Sequence, residues 1–310
     1  MITLRVWGVF VMLVSALFSV QAIAQLNGHN LRGDYGVASG SQPPPGSYLS
    51  PFYINYDVDA LRDRNGDRVD RGGGLDVEGF ALIYQWVSEK QLFGGNYSVL
   101  VAPSWTTNSL DSPFLETDLV TSWGLGDLYI QPVNLGWHKD RADYVAGIGI
   151  FAPTGEFTDG ASDNTGLGMW TFEVFAGTTV FLDEAKSWHF ATTAFWETHS
   201  EKEDSDQKVG NLLTLEGGLG KSLKGGAITL GLVYFAQWKL SADDLGTAGP
   251  ADVSLNKHQV FGVGPELTFA LTRQQKPFGF VNMRYLADFG AESMTEGNTF
   301  TLAVTFPLGG

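Results

Sequence analysis

The sequence contains no cysteine, which excludes disulfide bonds, thiol nucleophiles and thiolate metal sites. Basic residues are also scarce, because 19 Lys and Arg stand against 34 Asp and Glu and leave a net charge of −15 at pH 7. Nucleic acids and anionic lipid headgroups are bound by clusters of Lys and Arg. We therefore predict neither nucleic acid nor an anionic lipid surface as the partner.

Long apolar runs are missing except for one near the start, from Val6 to Val20. Arg5 precedes this run and Ala22-Ile23-Ala24 follows it, in the order of a basic region, an apolar region and a small-residue cleavage site. A membrane-anchoring helix needs about 20 apolar residues, and this run is shorter. We predict a signal peptide over residues 1–24, cleaved after Ala24, and hence an exported protein.

Elsewhere the apolar residues alternate with polar or small ones, although 44% of all residues are hydrophobic. The stretch from Gly124 to Phe157 shows the pattern best. It contains two segments of about ten residues in which apolar residues alternate with others, a tight polar turn joins the two segments, and a long loop follows the second. In its second segment, Tyr144, Ala146, Ile148 and Ile150 fall on one face. A period of two indicates strands with two different faces, and this repeat unit is typical of outer-membrane β-barrels.

Twelve segments share this pattern, an even number, as bacterial single-chain barrels require. They are residues 47–61, 76–88, 96–107, 124–137, 141–151, 169–182, 187–199, 209–221, 227–240, 257–270, 277–289 and 297–306. Short turns follow the even-numbered segments, and mostly longer loops follow the odd-numbered ones. We therefore predict an all-β, transmembrane, antiparallel up-and-down β-barrel over residues 47–310. Its short turns and both termini would lie in the periplasm and its long loops outside a Gram-negative cell.

Residues 25–46 precede the barrel and are polar and rich in glycine. The end of this segment, Gln42-Pro43-Pro44-Pro45-Gly46, contains three prolines, which lack backbone donors and exclude a central strand. Two alternatives remain open, a periplasmic lead-in and a plug folded into the lumen. We favour the lead-in, since short N-terminal segments are usually poorly ordered unless they are tied down.

Polar and charged residues of the sixth to eleventh predicted strands fall on one face, which would be the lumen side. They are Glu173, Glu197, Glu216, Gln237, Lys239, Glu266, Asn282 and Arg284. Lipid contact would cost a charge about 2 to 4 kcal/mol at the bilayer midplane, so stability alone requires this placement. The residues could line a pore, or they could form a hydrogen-bonded core in which Arg284 and Lys239 pair with Glu266 and Glu216.

The last predicted strand ends in Phe306, followed by Pro307-Leu308-Gly309-Gly310. An aromatic residue near the end resembles the assembly signal of outer-membrane barrels, although the terminal residue itself is not aromatic. We accordingly predict the barrel-assembly machinery as a partner during biogenesis, and outer-membrane lipid and lipopolysaccharide as the surroundings. The acidic residues of the long loops could also meet divalent cations that bridge lipopolysaccharide.

Three short motifs resemble the signature stretches of the family named "MetA-pathway of phenol degradation". They are Gly40-Ser41-Gln42-Pro43-Pro44-Pro45-Gly46, Gly126-Asp127-Leu128 with Gln131-Pro132 and Leu135-Gly136-Trp137, and Pro153-Thr154-Gly155-Glu156. The resemblance covers about Gly33 to Phe306. It implies a channel-forming barrel that helps hydrophobic or aromatic molecules cross the outer membrane, without established catalytic residues.

Two other kinds of site are weighed against this interpretation. Asp63 to Asp70 resembles the start of a calcium loop, but Arg68 stands where an EF-hand requires glycine, so we prefer a solvated loop with an Asn-Gly turn. An outer-membrane lipid hydrolase would need a histidine beside a serine, and no G-x-S-x-G motif is present. The five histidines are His29, His138, His189, His199 and His258. We predict no enzyme, no metal site and no cofactor.

The sequence therefore predicts an outer-membrane channel for the passive uptake of small, hydrophobic or aromatic molecules. The alternative is a structural or adhesive barrel that transports nothing because its lumen is closed. A lipid hydrolase, with His189 or His199 in the site, is the third and least favoured possibility.

Overall fold

The computed structural model describes residues 27–68, 74–112, 117–159, 161, 163–246, 258–274 and 276–308, with the backbone alone given for 110–112 and 117–119. The predicted signal peptide lies outside the described residues. Within them, no helix has the length and apolar character needed to cross a membrane.

Fifteen β-strands make up the described chain, accompanied by one short 3₁₀ turn at Lys224–Gly226. The strands are β1 Gly46–Leu61, β2 Gly74–Leu92, β3 Gly95–Ala102, β4 Ser104–Ser112, β5 Thr117–Val120, β6 Gly124–Leu125, β7 Leu128–His138, β8 Ala142–Ala152, β9 Thr171–Phe181, β10 Trp188–His199, β11 Leu212–Leu223, β12 Ile228–Lys239, β13 Gln259–Arg273, β14 Lys276–Glu292 and β15 Thr295–Leu308. Most begin and end within three residues of the predicted segments, because lipid and lumen impose the alternation along the whole of each strand.

The sheet closes on itself as a barrel of twelve antiparallel strands. The circuit runs β1-β15-β14-β13-β12-β11-β10-β9-β8-β7-β3-β2 and returns to β1. Strand β1 pairs with β15 on one side, for example Tyr53 with Leu302, and with β2 on the other, for example Tyr53 with Phe80. Closure pairs the first strand with the last, which is the condition for a β-barrel in lipid. The predicted fold class and strand number are confirmed.

One part of the wall is interrupted, which the sequence pattern did not predict. Pro103 separates β3 from β4, and residues 126–127 separate β6 from β7. Proline has no backbone N–H to donate, so the ladder cannot continue through it. The carbonyl of Pro103 still accepts from the Leu82 N–H (3.1 Å), and the Gly126 N–H donates to the Ser104 carbonyl (2.8 Å). Backbone hydrogen bonds therefore continue on both sides of the interruption.

The two ends of the barrel carry different connections. At one end, called the turn end, the strands are joined by residues 93–94, 139–141, 182–187, 224–227 and 274–275. At the other, called the loop end, they are joined by residues 62–73, 153–170, 200–211, 240–258 and 293–294, apart from the β4–β5 connection. That the turn end faces the periplasm stays a prediction.

The outward face of the barrel is apolar and the inward face holds the polar residues. On β9, Phe172 and Val174 are about half exposed, whereas Thr171 and Glu173 are buried. The same alternation holds on β12, where Leu230 and Leu232 face out and Gln237 faces in. An exposed apolar band of this kind is stable only against lipid.

Replacing outward Leu232 by arginine should destabilise the barrel. The residue is 57% exposed near the middle of β12, and an arginine at the bilayer midplane costs about 2–4 kcal/mol. Urea unfolding in liposomes would measure the loss as a lower transition midpoint. Leu232→Met, which keeps the side chain apolar, is the control and should unfold like the wild type. Equal midpoints for the arginine and methionine variants would contradict the outward placement.

Candidate functional site

Residues 27–45, called the lumen segment, run through the inside of the barrel from the loop end to the turn end. Near the loop end, the His29 ring lies 2.7 Å from the hydroxyl of Thr171, the first residue of β9. Near the turn end, the Ser41 hydroxyl donates to Asp143 at the start of β8 (2.8 Å). The Gln42 side chain, also buried, donates to the Ser98 hydroxyl (2.9 Å).

Inward carboxylates bind the backbone of the lumen segment. Glu197 accepts the N–H groups of His29 and Asn30, both at 3.0 Å. Glu216 accepts those of Gly33 (2.9 Å) and Tyr35 (3.0 Å). One oxygen of Glu266 accepts the N–H of Val37 at 3.3 Å. A segment without regular structure has no internal partners for its amides, so these carboxylates satisfy donors that would otherwise be buried and unpaired.

Glycines let the lumen segment approach the wall closely. A Cβ on Gly40 would collide with the backbone of Thr178, and one on Gly36 with the Glu266 carboxylate. The wall contributes glycines of its own, since a Cβ on Gly136 would meet the Gln42 side chain. Only glycine permits such close approach, which explains why this segment is rich in it.

The proline run itself lies at the mouth of the barrel rather than within it. Pro44 and Pro45 are exposed, and Gly46 begins β1. Of the candidate plug residues Gln42, Pro43, Pro44, Pro45 and Gly46, only Gln42 is buried in the lumen. The residues that fill the lumen lie before the prolines, where the sequence offered glycines and scattered polar residues. These contacts favour the plug alternative over the lead-in that the sequence favoured.

All eight candidate lumen residues lie on the inward face. Six are buried: Glu173, Glu197, Glu216, Gln237, Lys239 and Glu266. The other two are partly buried and hydrogen-bonded, because Asn282 donates to the Thr268 hydroxyl (2.7 Å) and Arg284 to Glu266 (2.6 Å). The suggested pairing of Arg284 with Glu266 is therefore present.

The suggested pairing of Lys239 with Glu216 is wrong. Lys239 Nζ lies 2.7 and 2.8 Å from the two oxygens of Asp243, four residues later in the connection to β13. Both side chains are almost fully buried. Lys239 is the last residue of β12, so it reaches the loop end instead of the barrel middle, where Glu216 binds the lumen segment.

Replacing Lys239 by methionine should cost the protein about 3–5 kcal/mol of stability, because it leaves the buried Asp243 carboxylate without its cation. Urea unfolding of the refolded barrel would measure the change. The exposed Lys90→Met serves as the control and should be neutral. The double variant with Asp243→Leu should recover part of the loss. A Lys239→Met variant as stable as the wild type would contradict the pairing.

Asp127 joins three parts of the chain at the loop end. Its carboxylate lies 2.8 Å from the His29 ring and accepts the N–H groups of Gly155 (3.0 Å) and Leu167 (2.8 Å). Two of the resemblance motifs, Gly126-Asp127-Leu128 and Pro153-Thr154-Gly155-Glu156, therefore meet here although Asp127 and Gly155 are 28 positions apart in the sequence. Their contact with His29 was missed by the sequence analysis, which placed His29 before the barrel. The interruption between β6 and β7 frees Asp127 from the ladder for this role.

No histidine of the described chain is hydrogen-bonded to a serine hydroxyl. His29 has a threonine on one ring nitrogen and Asp127 on the other, but the Thr171 hydroxyl is fully buried and is also 2.8 Å from His199. The arrangement ties the lumen segment to the wall.

The loop that resembles a calcium site satisfies its first carboxylate internally. Asp63 accepts the N–H groups of Asn65 (2.8 Å) and Asp67 (3.0 Å), and these bonds lower the pKa of its carboxyl. Gly66 has φ of +80°, as the predicted Asn-Gly turn requires. Residues 69–73 lie outside the described chain. In the part that is described, no three potential metal ligands come together.

A cavity of about 660 Å³ occupies the part of the lumen that the lumen segment leaves free. One wall consists largely of apolar side chains from β1, β2, β3 and β15, among them Phe52, Ile54, Val77, Ile83, Leu100 and Ala303. The other wall includes the lumen segment from Asn27 to Asp34. The lining also reaches Phe80 and Trp105, which face outward beside the interruption at Pro103. A volume of this size suits a small organic molecule.

The family model described as "Putative MetA-pathway of phenol degradation" matches residues 58–304. The chain belongs to this family. Of the three motifs that carry the resemblance, the two that meet at Asp127 lie within the matched region, and the motif that ends in the proline run lies before it. A search of curated proteins returns no match to the sequence.

Solved structures resemble this member of the phenol-degradation family in fold. The COG4313 outer membrane channel from Pseudomonas putida F1 superposes with a TM-score of 0.68 at 15% identity, over 90% of this chain and 100% of that one. The CymD monoaromatic hydrocarbon channel has a TM-score of 0.46 at 8% identity, over 87% and 90%. The transport unit of the autotransporter AIDA-I from Escherichia coli has 0.47 at 11%, over 94% and 98%. The first of these likenesses establishes the outer-membrane barrel fold, and the other two carry no functional weight.

Proposed function

We propose that this member of the phenol-degradation family is an outer-membrane channel for the passive uptake of small, hydrophobic or aromatic molecules. The observation that supports this most is the cavity of about 660 Å³ in the lumen, with one largely apolar wall. A barrel that served only as scaffold would gain stability by filling such a space, since each void costs packing energy. The membrane is that of a Gram-negative bacterium, reached through the predicted signal peptide.

The composition of the cavity wall supports an apolar solute. Water-filled pores of large barrels are lined by polar side chains. Here aromatic and aliphatic residues cover one side, and the stacked rings of Tyr129 and Phe151, with centroids 4.2 Å apart, border the space as well. An apolar molecule entering this space would leave water and gain contacts with these rings.

Uptake into proteoliposomes tests the proposal. Radiolabelled toluene or benzyl alcohol should enter liposomes that contain the protein faster than empty liposomes of the same lipid. The outward-charge variant Leu232→Arg, which should insert poorly, controls for leaks caused by contaminating protein. Equal rates with and without correctly folded protein would end the channel proposal.

The second candidate is a barrel that transports nothing, structural or adhesive. The lumen segment motivates it, because its backbone N–H groups donate to three glutamates that hold the segment across the interior. A closed barrel would show neither solute uptake nor ion conductance until the lumen segment is removed. A channel for apolar solutes would show uptake with the segment present.

The surroundings of the barrel form part of the same proposal. The apolar outward band is suited to outer-membrane lipid, and the loop end to contact with lipopolysaccharide. Strand β15, which ends at Leu308 beside β1, would carry the signal recognised by the barrel-assembly machinery. We propose no enzymatic activity and no cofactor.

A further inference from the structure

We propose that the lumen cavity accepts neutral and cationic amphiphiles and excludes anions, because both arginines that line it are already neutralised. The inference rests on the proposed channel function and adds the charge class of its solute. In the cavity, an apolar wall faces a polar wall. Within the described lining, the polar wall holds two guanidinium groups, and each of them has a carboxylate partner.

Arg284 donates from two of its three guanidinium nitrogens to acceptors of the protein. Its Nε donates to Glu266 at 2.6 Å, and its Nη1 donates to the carbonyl groups of Asp34 and, at 3.5 Å, Gly33. The side chain is 11% exposed. The guanidinium belongs to the cavity lining and is paired there with Glu266 and with the backbone of the lumen segment.

Arg32 belongs to the lumen segment and is held on the opposite side. Its Nη1 lies 3.9 Å from Asp288, and its guanidinium lies 5.0 Å from the ring centroid of Tyr56 and 5.7 Å from that of Phe235. The partly buried cation thus has an anionic partner and two aromatic faces. The Nη1 atom makes no hydrogen bond within the protein, so Asp288 compensates the charge of Arg32 without saturating its donors.

Carboxylates without a basic partner also line the cavity. Among the described residues, Asp34 and Glu173 have no Lys or Arg nitrogen within the 4.0 Å of an ion pair. Glu173 accepts from the hydroxyl of Tyr129 at 2.6 Å. This partner is a neutral donor, so the surplus acceptors remain available to a cation or to a hydroxyl of the solute.

The consequence for selectivity follows from the cost of burying a charge. An anion entering this space would lose its hydration without meeting a free cation, whether or not individual carboxyls carry a proton. A neutral molecule loses little on entry, and a cation meets carboxylate or carboxyl oxygens and aromatic faces. Charge, more than shape, should therefore separate solutes that share the same ring.

Three solutes with one ring and different charges test the inference. Benzyl alcohol is neutral, benzylamine is a cation and benzoate is an anion at neutral pH. Initial rates of uptake into proteoliposomes, each corrected by empty liposomes, should be similar for the first two and at least about tenfold lower for benzoate. Equal corrected rates for all three would overturn the charge inference and leave the channel in place. No protein-dependent uptake of any of them would overturn the channel itself.

A variant that frees one arginine provides the positive test. Glu266→Gln removes the anionic partner of Arg284 and keeps an oxygen that can accept from Val37, and it should raise benzoate uptake by about tenfold. The matched control is Glu296→Gln, which frees Arg62 from an ion pair of 2.6 Å outside the cavity lining and should leave benzoate unchanged. Heat-dependent migration on gels shows whether both variants are folded. A folded Glu266→Gln protein without increased benzoate uptake would overturn the role given to Arg284.

Discussion

Deleting residues 27–45 is expected to raise the ion conductance of the barrel by at least about tenfold, because twelve strands enclose more space than the eight whose side chains fill a barrel. The lumen segment now occupies that space and reaches from Thr171 at the loop end to Asp143 at the turn end. Without it, water would meet Glu197, Glu216 and Glu266 directly. Single-channel recordings in planar bilayers would measure the difference.

The control for this deletion is the double variant Pro44→Ala and Pro45→Ala. Both prolines are exposed at the mouth and contribute no side-chain contact within the lumen, so the conductance of this variant should equal that of the wild type. Circular dichroism and heat-dependent gel migration establish that each protein is a folded barrel. A folded deletion variant with wild-type conductance would show that the lumen is closed by something other than the segment.

Replacing Glu216 by leucine is expected to loosen the lumen segment while leaving the barrel intact. Glu216 is fully buried and accepts the N–H groups of Gly33 and Tyr35. Each buried donor left unpaired costs about 1–3 kcal/mol, so docking of the segment should weaken by about 2–6 kcal/mol. Because the barrel ladder is unaffected, the loss should appear as fluctuating conductance and as cleavage of the segment by added protease.

The conservative variant Glu216→Gln separates acceptor loss from charge loss. Its amide oxygen can still accept from one of the two N–H groups, so its effect should lie between those of the wild type and the leucine variant. Glu201→Gln, at an exposed site on the loop end, should have no effect. A leucine variant with quiet, closed traces and a protected lumen segment would contradict the anchoring role of Glu216.

Much of the barrel could be predicted from the sequence because lipid acts on every residue of a strand in the same way. Outward positions such as Val174 and Leu232 must be apolar, and inward ones such as Glu173 and Gln237 are free to be polar. The constraint repeats every two residues and is therefore visible without tertiary contacts. For the same reason the closed antiparallel barrel and its twelve strands were predicted correctly.

The partners of the inward residues could not be predicted, because they are set by contacts between distant parts of the chain. Glu216 lies 183 residues from Gly33, and no local pattern relates a carboxylate to a backbone N–H so far away. Lys239 is an example. Strand tilt and register decide how far along the barrel axis this side chain lies, and that position makes Asp243 its partner.

The sequence by itself therefore determined a closed barrel with polar residues inside, because the bilayer imposes a one-dimensional rule on each strand. Only the tertiary structure decided what those residues do. Most of the inward glutamates, which the sequence left as pore lining or core, anchor a segment that precedes the barrel. The two arginines lie where carboxylates already neutralise them, and the apolar cavity remains beside them. These arrangements arise from three-dimensional proximity, which alternation along a strand does not encode.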